Sequence, residues 1–157
     1  MNRYDLELAK AAEATLEEIR DGKPVSREIF TRLKGLPVML RVNGVPATLA
    51  FYGAKATDSE IGAAYRKVGQ ALRGQLAVEL DWSTEPDQFF TALSNTQPAD
   101  LARGFARLEA FAGWLRRLAV ALEQEQKRRQ RSAENAGDTP LAGNESPEAP
   151  TGVASDG

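Results

Sequence analysis

The sequence predicts an all-α fold, a compact helical bundle of five to six helices with a disordered acidic C-terminal tail. Three observations carry this. Apolar residues recur at three- and four-residue spacing over most of the first 122 positions, most regularly at Leu101, Phe105, Leu108, Ala112, Leu115, Ala119 and Leu122. Helix punctuation by Ser, Gly and Pro falls between these stripes. The last 26 residues, SAENAGDTPLAGNESPEAPTGVASDG, have no aromatic residue and no base. Such a segment cannot bury enough apolar surface to offset its ordering entropy. The expected division is a helical domain over 1–131 and a disordered tail over 132–157.

The first helix is expected over 3–21, with Tyr4, Leu8, Ala12, Leu16 and Ile19 on one stripe. Gly22 and Pro24 end it. Ser26 caps a short second helix whose inner face is Ile29, Phe30 and Leu33. Gly35 and Pro37 predict a boundary, with Pro37 in the first turn of the next element. That element, 37–53, lies in the apolar run LPVMLRVNGVPATLAF, which carries one charge, Arg41. Apolar side chains on every face place it in the middle of the fold, where Arg41 needs a partner or a route to water. Gly44 and Pro46 predict a kink or break near 43–46.

Thr57 and Glu60 form a capping box that opens a helix to about Leu80. Its core stripe is Ile61, Tyr65, Val68, Leu72 and Leu76. A polar connection with Pro86 leads to a short helix near Gln88–Ser94. Pro98 then opens the longest helix, about 98–131.

Composition excludes several functions. The chain has no cysteine and no histidine. Disulfides, zinc and haem sites of the usual ligand types, and Ser-His or Cys-His nucleophiles are ruled out. No cofactor and no metal site is expected. The apolar runs are too short for a membrane span, and the N-terminus lacks the apolar region of a secretory signal. These features fit a cytoplasmic protein.

The net charge of −2 hides an asymmetry. Residues 1–131 hold all 20 bases against 17 of the acids, whereas 132–157 hold five acids and no base. Within 27–73, eight bases stand against three acids. A mildly basic body attracts phosphate, although such a balance is also ordinary for a soluble domain.

Arg66, Gln70 and Arg73, with Lys67 beside them, lie opposite the core stripe of the fourth helix. Bases at this spacing track successive phosphates or simply form a solvated face. On the last helix, Arg107, Phe111, Trp114 and Leu118 form a second strip. A helix apolar on two sides is either central in the bundle or exposed to a partner, where Trp and Arg are favoured anchors. Base stacking on Trp114 beside Arg103 or Arg117 is a further option. The carboxylates Asp81, Glu85 and Asp87 share one short loop with Trp82, with no histidine to complete a metal site. Lys127, Arg128, Arg129 and Arg131 are placed at the end of the last helix, where they complement its dipole or touch nucleic acid or the acidic tail.

The run LKGLPVMLRVNGVPATLAF, residues 33–51, resembles the small-subunit family of type III-B CRISPR effector (Cmr) complexes. The matching positions are Leu36, Pro37, Arg41, Asn43, Gly44, Leu49, Ala50 and Phe51. The run Trp114-Leu115-Arg116-Arg117-Leu118-Ala119 is similar to a closing motif of the same family. The resemblance covers about residues 3–126, with Pro46 a departure from its pattern. It implies a non-catalytic α-helical protein that stacks head to tail with copies of itself in a filament, beside the other subunits that hold guide RNA. It also implies basic side chains along the path of guide and target RNA. The candidates for that contact are Lys34, Arg41, Arg66, Lys67 and Arg73. A different class of function is a helical adaptor that dimerises through the Phe111, Trp114 and Leu118 face and binds no nucleic acid.

Overall fold

The computed structural model describes residues 1–82 and 85–137, together with Gly152. Among them are six α-helices, α1 (Arg3–Arg20), α2 (Arg27–Asn43), α3 (Val45–Lys55), α4 (Glu60–Leu80), α5 (Phe89–Asn95) and α6 (Pro98–Gly137), with a 3-10 turn at Pro86–Gln88 and no strand. None is long and apolar enough to cross a membrane.

The 40 residues of α6 extend about 60 Å at ~1.5 Å per residue. It is the central element, with α1, α2 and α4 packed against it, while α3 packs on α4 and α2. Leu108, Phe111, Ala112, Leu115 and Ala119 of α6 are buried against Leu8, Ala12 and Leu16 of α1, Leu33, Leu36 and Leu40 of α2, and Val68, Leu72 and Leu76 of α4 within one core.

Asn2 caps α1, its side chain accepting the Asp5 N–H at 2.8 Å. Asp21 and Gly22, both at positive φ, end the helix. Ser26 caps α2 as expected, accepting the Ile29 N–H.

The boundary expected at Gly35 and Pro37 is absent, because α2 runs through both. An interior proline costs roughly 3 kcal/mol. Ile29, Phe30, Leu33, Leu36 and Leu40 are all buried on the inner face, and each contributes about 1.5–3 kcal/mol. Tertiary burial therefore overrides the local signal.

The break near 43–46 is present and falls at Gly44, which closes α2 and opens α3 with φ 82° and ψ 167°. The 36–51 run does not sit in the middle of the fold. Leu36, Leu40, Val45 and Leu49 face inward, but Val38 and Val42 are exposed, as are Arg41, Ala47 and Ala50. Arg41 reaches water directly, so the problem of a buried arginine does not arise.

The cap of α4 is Ser59 rather than Thr57. The Ser59 Oγ accepts the Gly62 N–H at 3.0 Å, and Thr57 Oγ1 sits 2.9 Å from Ser59 Oγ. Gly62 is required there, since a β-carbon would lie 2.5 Å from the Thr57 carbonyl oxygen. At the other end of the helix, Trp82 packs edge-on to Phe89 and donates its Nε1–H to Thr96 Oγ1 at 2.9 Å.

Beyond residue 131, α6 continues to Gly137. Ala133, Glu134 and Ala136 propagate a helix readily once it is formed. Residues 132–137 of the expected disordered tail are thus helical and exposed. The remainder of that tail, Gly152 apart, lies outside the described residues.

Candidate nucleic-acid interface

Arg27, Lys34 and Arg41 follow one another at seven-residue intervals on α2. Seven residues are nearly two turns, so the three cations share one side of the helix, about 10.5 Å apart. Arg27 and Arg41 are exposed, and Lys34 is half-exposed. Arg27 and Lys34 line a groove of about 490 Å³ between α2 and α6, with Thr31 on the same wall and Glu123, Lys127 and Gln130 opposite. Three cations therefore face one carboxylate.

Two hydrogen bonds join the walls of the groove near Val25. The Gln126 side chain accepts the Val25 N–H at 3.0 Å and donates to the Val25 carbonyl at 2.9 Å. Inside the groove, Lys34 Nζ donates to Glu123 Oε1 at 2.8 Å. That hydrogen bond, aided by the charges of Lys127, Lys34 and Arg27, holds the Glu123 carboxyl below its ordinary range despite burial. Lys127 lies 3.8 Å from the same oxygen.

The other three cations expected to touch RNA sit apart from this row and serve the fold. Arg66 donates to the Thr57 carbonyl at 3.0 Å and pairs loosely with Asp58. Lys67 donates to the Glu18 carbonyl at 2.7 Å, near the C-terminus of α1, where a cation complements the helix dipole. Arg73 is buried, 9 % exposed. The face expected to be outward is covered by α3, so Arg73 lines an inner cleft with Tyr52, Gly53, Gly69 and Glu85. Burial pushes its guanidinium below the ordinary value, with Glu85 opposing.

A cation that spacing did not single out is Arg32. Its Nε donates to Tyr65 Oη at 3.2 Å, its guanidinium lies 4.8 Å from the centre of the Phe51 ring, and Tyr65 donates to Glu28 at 2.8 Å. The Tyr65 bond is the main reason Arg32 is held above its ordinary value. Phe51, Tyr52 and Tyr65 form a mutual aromatic cluster. Within it, burial pushes the Tyr52 hydroxyl far above its ordinary value, and Tyr52 Oη has no hydrogen-bond partner among the described residues.

The strip expected at a subunit interface packs in part within the bundle. Phe111 is fully buried. Arg107 donates to Gln75 Oε1 at 2.9 Å, lies 3.8 Å from Glu79 and stacks over Tyr4, so it joins α6 to α4 and α1. Trp114 and Leu118 are half-buried against the core, and Arg117 covers the Trp114 ring at 4.8 Å. The second apolar side of α6 exists because α6 is central. Of the Phe111, Trp114 and Leu118 face, Phe111 is therefore closed to a partner, while Trp114 and Leu118 stay partly exposed.

The basic run 127–131 is not at a helix end, since α6 continues to Gly137; dipole complementation does not explain it. In the 81–87 loop, Asp81 closes α4 in the left-handed conformation. Among the described residues, no group of three acidic, His or Cys side chains could hold a metal ion.

The family model for CRISPR-associated protein (Cas_Cmr5) matches residues 5–122. No curated protein and no solved structure matches the chain. The matched region begins in α1 and ends in α6, so it takes in the whole packed core. The match covers most of the chain, and the chain belongs to the CRISPR-associated Cmr5 family, the small subunits of type III-B Cmr complexes.

Proposed function

We propose that this chain acts in the cytoplasm as a non-catalytic small subunit of an RNA-guided Cmr complex, touching the backbone of guide or target RNA through α2 and stacking head to tail with its own copies. The observation that carries the RNA reading is the row Arg27, Lys34 and Arg41 along one side of α2, with Lys127 across the groove. Cations at regular intervals along one helix suit a repeating polyanion. Guide pairing supplies sequence specificity in such complexes, so the subunit need only read shape and charge. The lack of His and Cys supports a non-catalytic role.

Head-to-tail stacking needs two different, complementary surfaces. Val38 and Val42 on α2 and Phe90 on α5 are large apolar side chains left exposed, and they supply the apolar part of such an interface.

The test is RNA binding by the assembled complex carrying Arg27→Glu and Arg41→Glu, with Lys34 left in place to keep its bond to Glu123. Affinity should fall more at low salt than at high salt. The slope of log affinity against log salt should become shallower by about 0.7–0.9 for each phosphate no longer neutralised. Unchanged affinity at low salt rejects this row as the RNA-binding surface.

A further inference from the structure

The α2–α6 groove has a second cationic rim. On α6, Arg116 lies seven residues before Glu123, and Arg131 lies four after Lys127. Seven residues are nearly two turns and four are about one, so both arginines share the flank of α6 that turns Glu123 and Lys127 toward α2. The two helices run in opposite directions there, since Val25, just before α2, bonds to Gln126, while Lys34 bonds to Glu123. The same register carries Arg41 toward Arg116. Arg116 and Arg131 are exposed. Among the described residues neither is in an ion pair, and nor is Arg27 or Arg41.

Between the cations the groove is lined by Thr31, Glu123, Gln126 and Gln130. Hydroxyl, amide and carboxylate groups hydrogen-bond the edges of bases. They do not attract phosphate, and the Glu123 carboxylate repels it.

We propose that the α2–α6 groove takes a single, unpaired strand of RNA, its phosphates held by Arg27, Lys34 and Arg41 from one rim and by Arg116, Lys127 and Arg131 from the other, with bases turned in between them. This rests on the RNA reading of the groove given above and narrows it.

Shape carries the distinction. Packed helix axes lie roughly 8–10 Å apart, so long cationic side chains on both rims reach a strand lying along the groove. A duplex is wider than a helix–helix groove and rests on the rims. Its bases are paired and stacked within it, which leaves the polar groups between the rims without partners. An unpaired strand presents phosphates and base edges together. Charge alone argues the other way, because a duplex carries the denser charge and an unshaped cationic face favours it. A preference for the single strand therefore reports the shape of the groove and not merely its charge.

Fluorescence anisotropy of the full chain with a labelled oligouridylate tests this, the same labelled strand being used alone and annealed to oligoadenylate. The single strand should bind several-fold more tightly than the duplex at low salt. Arg116→Glu and Arg131→Glu should each weaken single-strand binding several-fold. Lys10→Glu, an equal change of charge at an exposed position on α1, should leave it nearly unchanged. Equal or tighter binding of the duplex overturns the proposal, and so does a loss at Arg116 and Arg131 no larger than at Lys10. Duplex binding that falls in the Arg27→Glu, Arg41→Glu variant keeps the groove as an RNA surface and rejects only the single strand. Binding of neither RNA rejects the RNA reading itself, and the proposal with it.

Discussion

Lys34 Nζ and Glu123 Oε1 stand 2.8 Å apart across the α2–α6 groove, and the Glu123 side chain is only 11 % exposed. The hydrogen bond from Lys34 is the largest cause of the lowered Glu123 pKa. A carboxyl group whose folded pKa is depressed stabilises the fold above its unfolded value, near ~4.3 for Glu. That contribution is lost as pH falls through the lower, folded value. Thermal melts should therefore show Tm declining as the solution is acidified below about pH 4.3. Glu123→Gln should lower Tm at neutral pH and flatten part of the acid decline. The same acid dependence in wild type and variant would dismiss this pair as a contributor.

Two glycines of the 33–51 run should respond in opposite directions to alanine. Gly44 has φ 82° and ψ 167°, a region that residues with a β-carbon avoid, and Gly44→Ala should cost about 1–3 kcal/mol. Gly35 is exposed inside α2 with nothing within 4 Å of a built β-carbon. There the substitution should gain roughly 0.5–1 kcal/mol from the better helix former. Urea denaturation of the two variants reads both signs.

Gly62 and Gly104 separate rigid from yielding neighbours. A β-carbon at Gly62 meets the Thr57 backbone, with its carbonyl oxygen at 2.5 Å and its nitrogen at 2.6 Å. The loop before α4 must shift, and Gly62→Ala should cost about 1–3 kcal/mol or more. At Gly104 the nearest atom is Leu80 Cδ1 at 2.8 Å, the tip of a side chain that can turn aside. Gly104→Ala should be the milder change, and the reverse order in equilibrium unfolding would refute this account.

The two buried tyrosines of the aromatic cluster should also differ. Tyr52 Oη has no partner among the described residues, so Tyr52→Phe removes a desolvated hydroxyl at no cost in hydrogen bonds there. It should leave stability unchanged or raise it by about 1 kcal/mol. Tyr65 Oη is bonded to both Arg32 and Glu28, and Tyr65→Phe should lose roughly 1–3 kcal/mol. Denaturant midpoints of the two single variants test this, and equal effects would count against the hydrogen-bond assignment.

Much of the architecture could be read from spacing. The stripes of α1, α4 and α6 run through Leu8, Leu16, Tyr65, Leu72, Leu108 and Leu115, and all six are buried. The Gly44 break was legible because few other residues tolerate its backbone angles. Pro37 was misleading, because its local penalty is smaller than the burial it interrupts. The cap moved from Thr57 to Ser59, whose Oγ accepts the Gly62 N–H.

For the candidate interface, Lys34 and Arg41 were legible as cations in a basic region and Lys127 as part of the basic run on the last helix, while Arg27 was not singled out. The association of Arg27 and Lys127 with Lys34 and Arg41 depends on α2 lying along the C-terminal part of α6. Arg73 and Phe111 show the opposite failure. Helical phase alone puts Arg73 opposite the core stripe, yet α3 covers that face. The strip through Phe111 fits a partner as well as it fits a second neighbour within the chain.

Most of the helices, the Gly44 break, the absence of thiol and imidazole chemistry, and the family were all written in the order of the residues. Each depends on residue identity and on spacing along one helix, which are local properties. Which cations are free to meet a ligand, and which hold the bundle together, was settled by the packing of the helices. That division depends on which helix covers which face, and a face is covered by residues far away in the chain.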